Sequence, residues 1–289
     1  MKLVFLLGIG VLVLLILAAQ PRLSANPSSI KDIESYIEQS VARNKPPGIS
    51  ITVIKYGEIA YNRAFGFADG PAEIPATTDT VYHWWSMTKV PTAIAILQLH
   101  DAKILDIDDP VSDYLPYFIV ELDSKPAPPI TIRQVLRHTS GLPDTIPAMI
   151  GWVHFHDEIY NQTDLLQQHL PQYNQLKFAP DSKAAYSNLG YMVLGAIIES
   201  VSGQSYEDYI QGQVLKPLGM TNTGFIYTPQ MYGKAAAGSH PMGSIYTPLL
   251  PFLLDTKPLI KERNGTQYWF NPFYIDATPS TGLIGSADE

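Results

Sequence analysis

The sequence predicts a mixed α/β protein of the α+β type, in which an antiparallel sheet is flanked by helices. Three stretches support this class. In residues 49–65, apolar side chains alternate with polar ones on both sides of Tyr56-Gly57, which is typical of a β-hairpin. Residues 91–99 are apolar on nearly every side, which favours a buried helix. Residues 188–203 have helical spacing and end at a glycine.

Further helices are predicted on both sides of these stretches. Apolar residues recur at helical spacing in IKDIESYIEQSVA, so a helix is expected over residues 30–42, before the KPPG stop signal. The stretch IRQVLRHTSGLP predicts a short helix that ends at Gly141, and Ser205 is expected to cap the helix that follows it. Residues 145–180 carry only weak helical signals, and helical periodicity is absent from residue 221 onwards.

Composition and charge exclude several classes of function. The 289 residues carry a net charge of -8 and no basic patch, so nucleic acid is not expected as a partner. The chain has no cysteine, which excludes disulfides, cysteine catalysis and thiolate metal sites. His154 and His156 could form a metal pair, but no acidic residue stands at a recognised spacing from them. We therefore expect surface or loop histidines and no metal.

The N-terminus has the pattern of a targeting segment. Lys2 is followed by residues 3–19, which are uncharged and apolar, and then by a polar stretch. This layout is typical of a secretory signal, and a retained membrane anchor is the alternative. Either route predicts an exported protein that is periplasmic, secreted or anchored facing outward. Residues 1–25 are then the targeting segment, and residues 26–289 form one domain.

Ser86 and Lys89 form a candidate catalytic pair at the start of the apolar helix. A serine hydroxyl needs a neighbouring base to act as a nucleophile, and a desolvated lysine can be that base. Positions i and i+3 lie on one face of a helix, so the two side chains are expected to project together. The spacing alone is weak, since Ser28 and Lys31 share it. A helix cap and a solvated lysine are the alternative interpretation.

Tyr186-Ser187-Asn188 is a second constellation, and it is the only Tyr-x-Asn in the chain. In an extended segment, alternate side chains point to the same side, so Tyr186 and Asn188 are expected to face one site. A tyrosine hydroxyl can relay protons, and an amide can bind a substrate carbonyl or a lysine. A turn residue and a helix cap are the alternative for these two positions.

Taken together, these stretches resemble the serine beta-lactamase-like superfamily, and most closely the group of class C beta-lactamases, D-alanyl-D-alanine carboxypeptidases and family VIII esterases. The resemblance extends from about residue 30 to the end of the chain. It rests on six stretches that occur in order: ISITVIKYGEIAYNRAFGFAD, SMTKVPTAIAILQL, KILDIDDPVSDYLP, ITIRQVLRHTSGLP, YSNLGYMVLGAIIESVSG and PLGMTNTGF. It implies a beta-lactamase/transpeptidase-like fold, in which a mostly helical subdomain covers roughly residues 100–230.

The resemblance also implies a role for each candidate residue. Ser86 is the expected acylated nucleophile, and Lys89 helps to deprotonate it. Tyr186 is the expected partner in proton transfer, and Asn188 is expected to contact the substrate and Lys89. The backbone N–H of Ser86 is one expected oxyanion donor. No metal or cofactor is required. The expected substrate is a small ester, a D-alanyl peptide or a beta-lactam, with an ester or a peptide favoured.

Two departures from the family pattern bear on activity. Trp84 and Trp85 are bulkier than the small residues expected before the nucleophile, which predicts a narrower pocket. The third family motif, Lys-Thr-Gly or His-x-Gly, is absent, because no lysine or histidine after Asn188 has a glycine two positions later. We therefore expect a chain truncated at its C-terminus, without the later strands and the helix that packs with residues 30–42. Such a chain has an unpaired sheet edge and no turnover. The alternative is a non-catalytic, membrane-tethered or penicillin-binding-like relative.

The coding DNA beyond the codon for Glu289 tests the expected truncation directly. We expect the reading frame to continue into a strand that carries His-x-Gly or Lys-Thr-Gly, because the family pattern places that motif after the GLIGSADE stretch. An immediate stop codon contradicts the expectation and favours the non-catalytic alternative. Sequencing of the genomic locus is the measurement.

Overall fold

The computed structural model describes residues 28–145, 152–244, 247, 251 and 255–289. The expected targeting segment, residues 1–25, lies outside the described residues. The chain divides into two compact units, residues 1–78 and residues 79–289. Both units combine helices with antiparallel strands, which confirms the mixed α+β prediction.

Within its described residues, 28–78, the smaller unit contains a helix and a three-stranded antiparallel sheet. It contains α1 (Ile30–Val41), β1 (Gly48–Lys55), β2 (Glu58–Asp69) and β3 (Ile74–Pro75), with strand order β1-β2-β3. The α1 helix begins where Ser29 accepts a hydrogen bond from the backbone of Asp32. The hairpin turns at Tyr56 and Gly57, as the sequence predicts, and the structure shows a positive φ angle at both residues.

The larger unit holds the other α-helices and strands of the described residues, together with a 3₁₀ turn near its start. In chain order they are β4 (Tyr82–His83), a 3₁₀ turn (Trp85–Thr88), α2 (Lys89–Asp101), α3 (Val111–Tyr114), β5 (Glu121–Leu122), β6 (Lys125–Pro126), α4 (Ile132–Leu136), β7 (Val153–His154), α5 (Gln162–His169), α6 (Asn188–Ser202), α7 (Tyr206–Ile210), α8 (Pro229–Tyr232), β8 (Ser239–Pro241), α9 (Thr256–Leu259), β9 (Ile260–Asn264), β10 (Gln267–Phe270), β11 (Tyr274–Ile275), α10 (Thr278–Thr281) and β12 (Ile284–Gly285). The strands form short antiparallel sheets of two or three strands.

Helix α6 is the central helix of the larger unit. It is buried from Asn188 to Glu199, and α2, α4, α5, α7 and α10 all contact it. Ser187 caps its N-terminus by accepting a hydrogen bond from the backbone of Gly190, and Gly203 ends it in the left-handed conformation. The predicted helix over residues 188–203 is therefore confirmed. Its burial makes it a rigid support for any residue at its first turn.

Helix α2 differs from its prediction in two respects. The α-helix begins at Lys89, so Ser86 lies in the preceding 3₁₀ turn and not in the first turn of the helix. Side chains three residues apart eclipse each other in a 3₁₀ turn, so Ser86 and Lys89 still share a side. The helix is also only partly buried. Val90, Ile94 and Leu97 lie on one face of it and are exposed, while its other apolar residues pack in the core.

The predicted helix in IRQVLRHTSGLP is shorter than expected. It spans Ile132–Leu136, and Arg137 caps its C-terminus. His138 follows with a φ of 59°, so the chain leaves the helical path three residues before Gly141. His138 therefore shapes the turn that ends this helix.

His154 is not the loop or surface histidine that the sequence suggests. It lies in β7, which pairs with β11, and its Nδ1 is 2.6 Å from Asp276 Oδ1. Burial alone lowers the pKa of His154, but the hydrogen bond and the charge of Asp276 outweigh it, and the net pKa is raised. Within the described residues, no three His, Asp or Glu side chains are grouped so as to hold a metal ion.

The last described stretch returns to the 3₁₀ turn that carries Ser86. Strand β12 pairs with β4, with Ile284 opposite His83. Just before it, α10 packs against α6 at Gly195. A Cβ at Gly195 would lie 2.1 Å from Pro279 Cγ, so only glycine allows this approach. Packing on α6 thus places α10 beside the start of α2.

The Gly195–Pro279 contact yields a stability prediction. We expect Gly195→Ala to destabilise the protein by about 1–3 kcal/mol, because the added methyl overpacks against a ring that cannot rotate away. Gly212→Ala is the control, since a Cβ there meets nothing within 4 Å. Urea unfolding of both variants is the measurement. Equal stability of the two variants would contradict the described packing.

Candidate active site

The 3₁₀ turn holds the Ser86 hydroxyl at the surface of the larger unit. Ser86 is exposed, whereas Thr88 two residues later is buried. Thr88 Oγ1 donates to the carbonyl of Trp85 at 2.6 Å and accepts from the backbone N–H of Leu283 at 3.1 Å. Trp85 has a φ of 49°, a backbone conformation that is unfavourable for a bulky residue. The turn is therefore a strained feature that buried contacts fix in place.

Lys89 carries a buried amine at the centre of the site. Its side chain is only 7% exposed, and Nζ donates to Asn188 Oδ1 at 2.7 Å and to the Ser280 carbonyl at 2.8 Å. Burial lowers the pKa of Lys89 to about 8, against the opposing charge of Asp144. A lysine with this pKa is partly neutral just above physiological pH, so it can accept a proton.

Tyr186 connects the lysine with the serine. Its hydroxyl donates to Ser86 Oγ at 2.7 Å, and Lys89 Nζ lies 4.8 Å from the centre of its ring. Burial raises the pKa of Tyr186, the hydrogen bond with Ser86 opposes the rise, and the charge of Asp144 adds to it. Tyr186 is therefore a phenol at neutral pH, with its proton directed at the serine oxygen.

Asn188 is oriented by a carboxylate that the sequence patterns do not identify. Asp144 Oδ1 accepts from the backbone N–H of Asn188 at 3.2 Å and from its Nδ2 at 2.9 Å. Because the amide nitrogen faces Asp144, the amide oxygen faces Lys89. Asp144 directly follows the Gly-Leu-Pro that ends the IRQVLRHTSGLP stretch. The sequence signal that could have identified Asp144 is its position directly after that turn, as an acidic residue.

His138 packs against the Tyr186-Ser187-Asn188 segment. Its Nδ1 accepts from the backbone N–H of Ser187 at 3.2 Å, and its ring lies 4.7 Å from the ring of Tyr186. Burial lowers the pKa of His138, and the positive charge of Lys89 lowers it further. The ring is therefore neutral and contributes packing and one hydrogen bond.

Trp85 forms an aromatic wall beside Ser86. Its side chain is 51% exposed and contacts His83 and Phe273, whose rings stack on each other at 4.5 Å. Trp84 instead turns inward, packing partly buried against the core, and its backbone N–H donates to the Leu283 carbonyl at 2.8 Å. Of the two bulky residues, only Trp85 is presented to solvent next to the serine.

The structure brings all four predicted site residues together. Ser86, Lys89, Tyr186 and Asn188 form one connected set of hydrogen bonds and ring contacts, although the chain separates them by about 100 residues. The arrangement offers an exposed hydroxyl, a phenol proton and a buried amine within one cluster. These are the groups that acid–base assistance of a nucleophilic serine requires.

Asp144 yields a prediction about the charge state of the site. We expect Asp144→Asn to lower the pKa of Lys89 below about 8, because the variant removes a negative charge that favours the ammonium. Titration of the Lys89 Cε signal by NMR, assigned through Lys89→Arg, is the measurement. Asp181→Asn is the control, since that carboxylate binds Gln134 and Thr139 at an exposed position. A rise in the Lys89 pKa would contradict the described role of Asp144.

Comparison with known proteins shows which family and which solved fold the chain resembles. A family model described as Beta-lactamase matches residues 33–289. The protein flp of Staphylococcus aureus (strain NCTC 8325 / PS 47) is 33% identical over 218 residues, which are 75% of this chain and 42% of that protein. Penicillin-binding protein 4* of Bacillus subtilis (strain 168) is 35% identical over 167 residues, which are 58% of this chain and 35% of that protein.

A solved structure shows the same fold. The octameric penicillin-binding protein homologue from Pyrococcus abyssi superposes with a TM-score of 0.68 at 28% identity, over 90% of this chain and 54% of that chain. The chain thus spans less than half the length of the two curated relatives and about half of the solved one. With a family model that matches nearly all of the described residues, the chain belongs to the beta-lactamase family.

Proposed function

We propose that this chain carries the site of a serine hydrolase that forms an acyl-enzyme on Ser86 and hydrolyses an ester or an amide. The observation that carries the proposal is the 2.7 Å hydrogen bond from Tyr186 to Ser86, beside a lysine whose pKa burial lowers to about 8. A serine, a phenol and a partly neutral amine in one cluster can share the proton transfers of two half-reactions, the acylation of Ser86 and the hydrolysis of the acyl-enzyme.

In the first half-reaction, Ser86 Oγ attacks the substrate carbonyl and its proton passes to neutral Lys89. The tetrahedral intermediate then expels the alcohol or amine, which takes the phenol proton of Tyr186. Lys89 returns its proton to Tyr186, so both groups regain their initial state. In the second half-reaction, water attacks the acyl carbon with the same assistance, and Ser86 leaves with a proton.

Asn188 and the backbone support these steps without exchanging protons. Asn188 holds Lys89 through its amide oxygen, while Asp144 fixes the orientation of that amide. The backbone N–H of Ser86 is the proposed first donor to the developing oxyanion. The resemblance implies a second donor from the third family motif, Lys-Thr-Gly or His-x-Gly, and no lysine or histidine after Asn188 forms that motif in this sequence.

The proposed substrates are small esters, D-alanyl peptides or beta-lactams, with an ester or a peptide favoured. Trp85 supports an acyl group with apolar or aromatic character, because it exposes an apolar face next to the nucleophile. The relatives named as penicillin-binding proteins support the peptide and beta-lactam candidates. Competition by one compound of each kind against labelling of Ser86 ranks the three.

Export is part of the proposal. The apolar residues 3–19 support passage through a membrane or retention in it, with the hydrolase outside. Within the described residues, no helix has the length and apolar character needed to cross a membrane. The N-terminal residue of the mature protein, read by Edman degradation from the native host, distinguishes cleavage near residue 25 from retention.

Covalent labelling tests the nucleophile. We expect a fluorophosphonate probe to modify Ser86 in the 289-residue chain, because forming the covalent bond needs no second half-reaction. Ser86→Ala is expected to lose labelling by at least about 100-fold, in line with the loss of an activated nucleophile. Ser28→Ala is the matched control, since Ser28 has the same Ser-x-x-Lys spacing but binds Asp32. The modified peptide is identified by mass spectrometry.

The pH dependence of the same labelling tests the base. If neutral Lys89 assists, the rate rises with pH as the ammonium loses its proton, with a midpoint near pH 8, and is constant above. Labelling that persists in Ser86→Ala would contradict the proposal that Ser86 is the nucleophile. A rate that does not change between pH 6 and pH 9 would exclude Lys89 as the base. No labelling of a folded chain would favour a non-catalytic binding relative.

A further inference from the structure

Among the described residues, the carbonyl of Ser280 is one of two acceptors for the buried Lys89 amine. The oxygen lies 2.8 Å from Nζ, and it belongs to the four-residue helix α10. So short a helix has little stability of its own. Its internal hydrogen bonds include that from the Gly282 N–H to the Thr278 carbonyl at 3.0 Å, and the Ala277 carbonyl accepts from the Ser280 N–H at 3.2 Å and from Ser280 Oγ at 3.0 Å. The position of the Ser280 carbonyl therefore depends on what holds α10 from outside.

Beside the packing of Pro279 on α6, two buried side chains bind α10 by hydrogen bonds. Thr92 Oγ1, on α2, lies 2.8 Å from the Pro279 carbonyl and 2.7 Å from the Tyr206 hydroxyl. The Thr278 hydroxyl donates to Glu207 Oε1, and Glu207 lies on α7. These contacts fix the first two residues of α10, and the next residue is Ser280. A short chain of contacts thus runs from Glu207 through α10 to the amine of Lys89.

Glu207 is an unusual residue for this position. It is only 4% exposed, and its Oε2 has no hydrogen-bond partner within the described part of the chain. Burial raises the pKa of Glu207 to about 7, and the hydrogen bonds from Thr278 and from its own backbone oppose the rise only in part. The nearby acids Glu199 and Asp208 raise the pKa as well. A buried carboxyl without a cationic partner is costly, so its retention at this place calls for a reason.

We propose that Glu207 is a positioning residue, which holds Thr278 so that the Ser280 carbonyl stays within hydrogen-bonding distance of Lys89. The proposal rests on the proposed function, since it assigns a support to the proposed base. Glu207 acts on Lys89 through α10, by way of its hydrogen bond with Thr278. The neutral carboxyl suffices for this task, because only the acceptor oxygen Oε1 is used.

The pKa of Lys89 tests the proposal, because a carbonyl acceptor favours the ammonium form. We expect Glu207→Leu and Thr278→Val each to lower the Lys89 pKa by about one pH unit. Each variant removes the hydrogen bond between Thr278 and Glu207, so α10 shifts and the Ser280 carbonyl moves away from Lys89 Nζ. Glu207→Gln keeps an acceptor oxygen of the same shape and is expected to leave the Lys89 pKa unchanged. Asp208→Asn is the control, since Asp208 lies next to Glu207 on α7 but is exposed.

NMR titration of the Lys89 Cε signal in the 289-residue chain is the measurement, with the melting temperature of each variant recorded beside it. The double variant Glu207→Leu/Thr278→Val is expected to shift the pKa no more than either single variant, because both remove the same hydrogen bond. An unchanged or raised Lys89 pKa in the single variants overturns the proposal. Additive shifts, or a Gln variant that behaves as the Leu variant, overturn it as well.

This experiment separates the two proposals. The titration of Lys89 requires neither substrate nor turnover, so it decides the role of Glu207 even if Ser86 is never labelled. Absence of labelling of Ser86 contradicts the proposed hydrolase and leaves the proposed role of Glu207 standing. Normal labelling of Ser86, together with an unchanged Lys89 pKa in Glu207→Leu, contradicts the positioning role of Glu207 and leaves the proposed hydrolase standing.

Discussion

The burial of one ammonium group is the constraint on which the rest of the site depends. Lys89 Nζ is removed from water, so the protein must supply acceptors in its place. In the described part of the chain, its acceptors are Asn188 Oδ1, in the first turn of α6, and the Ser280 carbonyl, in α10. Each of these segments must in turn be fixed, because an acceptor that moves away leaves a costly unpaired charge. Three segments of the larger unit, α2, the first turn of α6 and α10, are thereby connected through Lys89 Nζ.

The surrounding packing follows from that requirement. Helix α6 is buried on all sides and supplies a rigid first turn for Asn188. The missing side chain of Gly195 lets α10 come close enough for its carbonyl to reach the lysine. The side-chain hydroxyls of Thr88 and Thr92 bond to Leu283, just before β12, and to Pro279 in α10, which connects the start of α2 with both. The core around the site is therefore held by hydroxyl groups bonded to backbone carbonyls and amides as well as by apolar contact.

The sequence predicts the members of this cluster better than it predicts their surroundings. Ser86, Lys89, Tyr186 and Asn188 could be named because their side chains carry the chemistry and stand in recognisable spacings. The contribution of Ser280 is a backbone carbonyl, which any residue has, so no pattern of side chains can reveal it. Asp144 acts on Asn188 across 44 residues, and its neighbours alone do not place it there. The predicted helix start was wrong for a local reason, since the hydroxyl of Thr88 bonds to Trp85 and sustains a 3₁₀ turn before Lys89.

The contacts of Lys89 also have a consequence for the order of folding. The bond to Asn188 spans 99 positions of the chain, and the bond to Ser280 spans 191. Contacts of such long range close large loops and are slow to form. During synthesis, the lysine leaves the ribosome long before its second acceptor is made. In a nascent chain this amine therefore stays hydrated until residue 280 has been made, and the complete environment of Lys89 is a late marker of the native state.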